Sequence, residues 1–140
     1  MAEGQPRTAN ELASDPSMDD VPEGAGRDRQ SYLFDMDFPP ANAERAVQLL
    51  LSAVGLTEAK SGCQACTVAR DASDPNRVRY SEIWHSESAF QKHAQSDDFR
   101  RVLVAMDICC EEPRVVTNNL CGSSGMAYLQ ELRAKNVSED

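Results

Sequence analysis

The sequence predicts an α+β fold of the ferredoxin-like kind, a four-stranded antiparallel sheet in β-α-β-β-α-β order with helices on one face. Three observations predict it. Residues 32–38 alternate apolar and acidic, which is a strand with one buried face. Residues 77–85 also alternate, with Val78, Tyr80, Glu82 and Trp84 on one face. Between and after these runs, apolar residues recur at helical spacing, at Ala46, Val47, Leu50, Leu51 and Val54 and again at Phe99, Val102, Leu103 and Met106.

Each element follows from its residues. In the first strand Tyr32, Phe34, Met36 and Phe38 share one face, Asp35 and Asp37 take the other, and Pro39-Pro40 ends the run. Asn42 is placed to cap a helix over 43–54, with Gly55 as its stop. After Ser61-Gly62, Cys63–Arg70 reads as the second strand. The turn-forming run Asp71-Ala72-Ser73-Asp74-Pro75-Asn76 joins it to a third strand, Arg77–His85. There Val78, Tyr80, Glu82 and Trp84 face one way, and Arg79, Ser81, Ile83 and His85 the other. Ser86 caps a short helix containing Ala89, Phe90 and His93, and Ser96-Asp97 reads as a second cap. Pro113 breaks the next helix, Arg114–Leu120 is the fourth strand, and Gly122-Ser123-Ser124-Gly125 turns into a C-terminal helix carrying Met126, Leu129 and Leu132. One face of such a sheet lacks a helical cover, and a second copy of the chain is the expected one.

Length and charge bound the function. The chain has 140 residues, which suits one domain: a tail over 1–30 and a folded domain over 31–136. The tail has no aromatic residue and carries three basic against seven acidic side chains, so it reads as disordered. Lys and Arg total 14 against 23 Asp and Glu, a net charge of −9. That argues against a nucleic-acid binder, which needs a basic face, and against docking on anionic membranes. No run of apolar residues is long enough to span a bilayer and the N-terminus has no apolar leader, so a cytoplasmic protein is expected. Five cysteines, an odd number, do not read as a disulfide framework. Cys63 and Cys66 have CxxC spacing, but positions three apart on a regular strand point to opposite faces. No metal site is therefore expected there.

The chemistry-bearing candidates cluster in the third strand and the helix after it. Histidine is the side chain suited to proton transfer at neutral pH, which makes His93 the first candidate. Glu82, mid-strand among apolar neighbours, needs a partner, either His93 or an arginine such as Arg79 of a second copy. Trp84, Tyr80, Phe34 and Phe99 could wall an aromatic pocket or simply fill the core. Asn118 and Asn119 point to opposite faces of the fourth strand, and one of them could bond a substrate oxygen. His85 borders a loop and reads as solvent-facing.

The stretch Gly62-Cys63, Tyr80-Ser81-Glu82-Ile83-Trp84 and Phe90-Gln91-Lys92-His93, followed by Ser96 and Phe99, resembles the antibiotic biosynthesis monooxygenase family. The resemblance implies a homodimeric α/β-barrel with a pocket between sheet and helices, and a cysteine after Gly62 without metal chemistry. It implies cofactor-independent oxidation of a quinol or phenolic small molecule with O₂, with His93 and Glu82 catalytic and Trp84, Tyr80, Phe34, Asn118 and Phe99 against the substrate. Two alternatives stand beside it: a non-catalytic barrel binding a hydrophobic ligand, and an isomerase of a small phosphorylated metabolite served by Arg70, Arg79 and Arg114. The haem-degrading branch is disfavoured. The first strand offers Asp35 and Asp37 in place of its Asn, His93 stands where its Trp would be, and Leu103 where its haem-binding His would be.

Overall fold

A computed structural model describes residues 29–122 and 125–139. The expected tail lies outside them but for Arg29 and Gln30, which begin the first strand, and so does the centre of the Gly122–Gly125 turn. The elements are β1 (Arg29–Asp37), α1 (Ala43–Glu58), β2 (Cys63–Asp71), β3 (Asp74–Trp84), α2 (Glu87–Ala94), a 3₁₀ turn (Asp97–Phe99) running into α3 (Arg100–Ile108), β4 (Arg114–Leu120) and α4 (Met126–Glu139). The sheet order is β2-β3-β1-β4 with every neighbouring pair antiparallel. This is the ferredoxin-like arrangement the alternating runs predict.

The core lies between one sheet face and α1–α3. β1 contributes Tyr32, Phe34 and Met36, with Phe38 just beyond its end, and β3 contributes Val78, Tyr80 and Trp84. Against them α1 sets Ala43, Ala46, Leu50 and Ala53, whose mostly small side chains let helix and sheet approach closely, and α3 sets Val102 and Ala105. The α3 stripe differs from expectation at one position: Leu103 is exposed and Ala105 takes the inward place.

Four local readings are corrected. Asn42 makes no side-chain cap; its carbonyl accepts from Ala46 N at 3.0 Å. Gly55 does not stop α1: it lies inside the helix, which runs to Glu58 with Ala59 as a right-handed C-cap, and the positive-φ glycine, Gly62 at φ +94°, lies beyond the helix in the turn into β2. The helix therefore runs on to carry Thr57 into the interior. The Asp71–Asn76 loop contracts to a hairpin with only Ala72 and Ser73 between the strands, held by Asp71 accepting from Ser73 N at 3.0 Å. Ser96 caps nothing with its side chain; its hydroxyl donates to the His93 carbonyl at 2.7 Å.

The cysteines of β2 also differ from expectation. A bulge lies between Cys63 and Ala65, so that Cys63 pairs with Trp84 and Cys66 with Glu82. Trp84 and Glu82 share the inner face, so both sulfurs face inward, against the expectation for a regular strand. Burial pushes Cys63 to about 11 and Cys66 to about 12.

On the helix-free face, Asp35 is ringed by arginines. Arg77 donates twice, at 2.9 and 3.2 Å, and Arg79 and Arg114 lie at 3.9 and 3.8 Å. The hydrogen bonds from Arg77 hold the Asp35 carboxyl below its usual range. α4 leaves Met126, Tyr128, Leu129 and Leu132 exposed. Among the described residues, no helix is long and apolar enough to cross a membrane.

Candidate active site

The inward stripe of β3 and one turn of α2 meet in a buried polar knot. Strand periodicity sets Tyr80, Glu82 and Trp84 side by side on the core face. Both carboxylate oxygens of Glu82 are occupied from this strand: Tyr80 Oη donates to Oε2 at 2.6 Å, and Trp84 Nε1 donates to Oε1 at 2.8 Å. α2 starts at Ser86, whose hydroxyl accepts from Ala89 N at 3.1 Å as expected of the cap. Two turns later it drops His93 onto the same carboxylate, Nε2 to Oε2 at 3.3 Å. Glu82 is 0% and His93 2% exposed.

Two residues that the sequence reading missed complete the knot. Thr57 Oγ1 lies 3.4 Å from both Tyr80 Oη and His93 Nε2, and Cys66 Sγ lies 3.2 Å from Tyr80 Oη. Burial, followed by the charge of Glu82, pushes the Tyr80 phenol well above its ordinary range, so it remains a donor.

A carboxylate can only accept, so Glu82 calls for the proton on Nε2, and in a neutral imidazole that tautomer leaves the lone pair on Nδ1. That atom is buried and has no hydrogen-bond partner among the described residues. Aromatic rings flank the imidazole: Trp84 lies 5.0 Å away between ring centres, and Phe99 meets it edge-on at 5.4 Å. Phe34 backs this wall, 5.7 Å from Tyr80 and 6.0 Å from Phe99. Such a unit can take a proton in a dry setting and hold the resulting cation against a carboxylate.

The sequence candidates thus separate. His93, Glu82, Trp84, Tyr80, Phe34 and Phe99 come together. Asn118 does not: it pairs with Ser31, whose side chain faces away from the helices. Arg79 lies on that outer face too, with Asp35 and Asp71, so it cannot be the partner of Glu82 within this chain. Arg70 meets Glu44 and Arg114 meets Asp35, so none of the three arginines expected to serve a phosphorylated substrate stands beside His93. His85 is half-buried rather than solvent-facing, with both ring nitrogens buried and unpartnered among the described residues. No group of three or more His, Cys, Asp or Glu among the described residues is placed to hold a metal ion.

The family model described as antibiotic biosynthesis monooxygenase matches residues 32–104, just over half of the chain and the whole of the knot. The chain belongs to the antibiotic biosynthesis monooxygenase family. Solved structures share its fold. A conserved protein from Methanosarcina mazei is 16% identical, with a TM-score of 0.64 over 69% of this chain and 97% of that one. Rv0793 from Mycobacterium tuberculosis is 14% identical, with 0.63 over 69% and 99%. A protein described as an antibiotic biosynthesis monooxygenase is 19% identical, with 0.61 over 66% and 99%. At these identities the likeness to this family member is one of fold. No curated protein matches the chain.

Proposed function

We propose that this protein is a cofactor-independent monooxygenase acting on an electron-rich phenol or quinol. The observation that supports it best is the His93 imidazole, tethered to Glu82 through Nε2 and left with an unpartnered, buried Nδ1 among aromatic rings. In this reading Nδ1 removes the proton of the substrate hydroxyl, and Glu82 stabilises the imidazolium. The aryloxide gives one electron to O₂, and the resulting radical pair joins at a ring carbon bearing hydrogen. The C–H and O–O bonds then break, one oxygen stays as a carbonyl, and the other leaves as water with the C–H proton and the proton that the imidazolium returns. The substrate supplies all four electrons, so no external reductant enters. Trp84, Phe34 and Phe99 hold the ring and keep water away.

The functional unit is proposed as a homodimer through the helix-free sheet face, where Leu33, Ile83 and Val116 are half-buried around the Asp35 arginines. A second reading is a barrel that binds a hydrophobic ligand without turnover. The knot is almost fully buried, so substrate or ligand alike reaches His93 only when the chain opens, and turnover is what separates the two readings.

Oxygen consumption by the metal-free protein against a panel of quinols, naphthols and anthrones separates the two. Uptake that disappears in His93→Ala with the fold intact supports the monooxygenase. Ligand binding with no uptake above autoxidation supports the binding protein and sinks the proposed mechanism.

A further inference from the structure

His93 Nδ1 is not the only buried orphan beside this sheet face. The Tyr32 hydroxyl is also buried without a hydrogen-bond partner among the described residues. Tyr32 sits directly opposite Glu82 in the β1–β3 register, on the inner face. Its ring stacks on Phe90 of α2, with centres 3.6 Å apart and planes 12° from parallel. Phe90 meets Phe99 edge-on at 6.2 Å, and Phe99 meets His93 edge-on at 5.4 Å. An unpaired donor and an unpaired acceptor thus flank one aromatic wall. Burial, then the charges of Glu87 and Glu82, raises the Tyr32 phenol above its ordinary range, so the orphan is an O–H donor. Buried polar groups without partners are costly and rare, and two around one wall mark where a ligand completes the bonding.

We infer that Tyr32 is a substrate-positioning residue, and that the ligand is an aromatic carrying two oxygens: a hydroxyl that donates to His93 Nδ1 and a second oxygen that accepts from Tyr32 Oη. This rests on the base role proposed for His93 and narrows it. A ring with one hydroxyl leaves Tyr32 unpaired and binds less tightly. A hydroxyaryl ketone or a hydroquinone satisfies both groups, and Tyr32 selects between these and simple phenols.

The test uses two redox-stable compounds that differ only in the second oxygen, 6-hydroxy-1-tetralone and 5,6,7,8-tetrahydro-2-naphthol, titrated calorimetrically into the full-length protein. The wild type is expected to prefer the ketone by roughly tenfold, the worth of one well-made buried hydrogen bond. Tyr32→Phe keeps the stack on Phe90 and is expected to remove that preference by weakening only the ketone. His93→Ala is expected to weaken both compounds. Equal wild-type affinities, or a preference that survives in Tyr32→Phe, overturn the role of Tyr32 while a loss in His93→Ala leaves the base role standing. Unchanged binding in His93→Ala overturns the base role beneath it. No binding of either compound at millimolar concentration overturns both.

Discussion

His93 Nε2 stands 3.3 Å from Glu82 Oε2, and the carboxylate that receives it is already bonded by Tyr80 and Trp84. Glu82 is thus the hub through which β3 fixes the tautomer and direction of a side chain from α2. Removing the hub orphans every donor around it. Glu82→Ala is expected to lose about 3–5 kcal/mol, the scale for breaking a buried, hydrogen-bonded pair. Glu82→Gln is expected to lose about 1–3 kcal/mol, since one amide oxygen still accepts while the amide N–H groups meet other donors. Urea unfolding checks both. Equal stability of Glu82→Ala and wild type would show that the knot contributes nothing to folding.

Tyr80→Phe isolates one arm of the hub. It deletes the 2.6 Å bond to Glu82 and strips Cys66 and Thr57 of a shared partner while keeping the ring against Phe34. The expected cost is about 1.5–3 kcal/mol, the range for a hydrogen bond to a charged group. A double-mutant cycle with Thr57→Val is expected to be non-additive, because both hydroxyls serve the same cluster. Additive losses would show that Thr57 and Tyr80 act separately.

Much of this arrangement is legible in the sequence, and particular residues show where legibility stops. The period-2 runs at 32–38 and 77–85 fix which side chains of β1 and β3 share the core face, so Tyr80, Glu82 and Trp84 fall together on alternation alone. Ser86 fixes where α2 begins, and hence how far along it His93 lies. Thr57 escapes because Gly55 reads as a stop, although Ala46, Leu50, Ala53 and Thr57 continue one helical stripe. The inward turn of both Cys63 and Cys66 depends on a bulge, a pairing event between two strands that leaves no mark on β2 alone. Asn118 is ambiguous in the sequence because its face depends on register with β1, and opposite Ser31 it points away from the helices.

Gly62 is the hinge on which the approach of α2 depends. Its φ of +94° is unfavourable for any residue with a side chain, and a Cβ there would lie 3.1 Å from the Ala89 Cβ and 3.7 Å from the Trp84 ring. Gly62→Ala is expected to cost about 1–3 kcal/mol and to push α2 off β3. Thermal unfolding reads the first effect. Trp84 fluorescence, from the only tryptophan in the chain, reads the second. An unshifted emission with a lowered melting temperature would mean that strain is absorbed locally and α2 stays in place.

His85 sets a pH dependence. Burial, followed by the charge of Arg29, lowers its pKa in the folded chain below the ordinary value of about 6.5. The unfolded chain therefore binds the proton more readily. The stability involved is complete above about pH 6.5 and is lost as pH falls from there through the lower folded value, with a slope of up to about 1.4 kcal/mol per pH unit. Melting temperatures between about pH 5 and 8 are expected to fall toward acid in the wild type and less steeply in His85→Asn. Parallel curves would assign the acid sensitivity to other groups.

The five thiols should divide by burial rather than by sequence spacing. Cys110 and Cys121 are exposed. Burial raises Cys63 to about 11, Cys66 to about 12 and Cys109 to about 11, which leaves almost no thiolate at neutral pH. Ellman's reagent at about pH 7.5 is expected to modify two thiols quickly and the remaining three only after denaturation. The inward-facing pair also predicts which variant changes that count. Tyr80→Phe removes the hydrogen-bond partner of Cys66 without opening a path to solvent, so its fast count should stay at two. Gly62→Ala, which displaces α2 from over the β2–β3 edge, should bring Cys63 into the fast class. A fast count of two in both variants would mean that β2 seals its cysteines without help from α2.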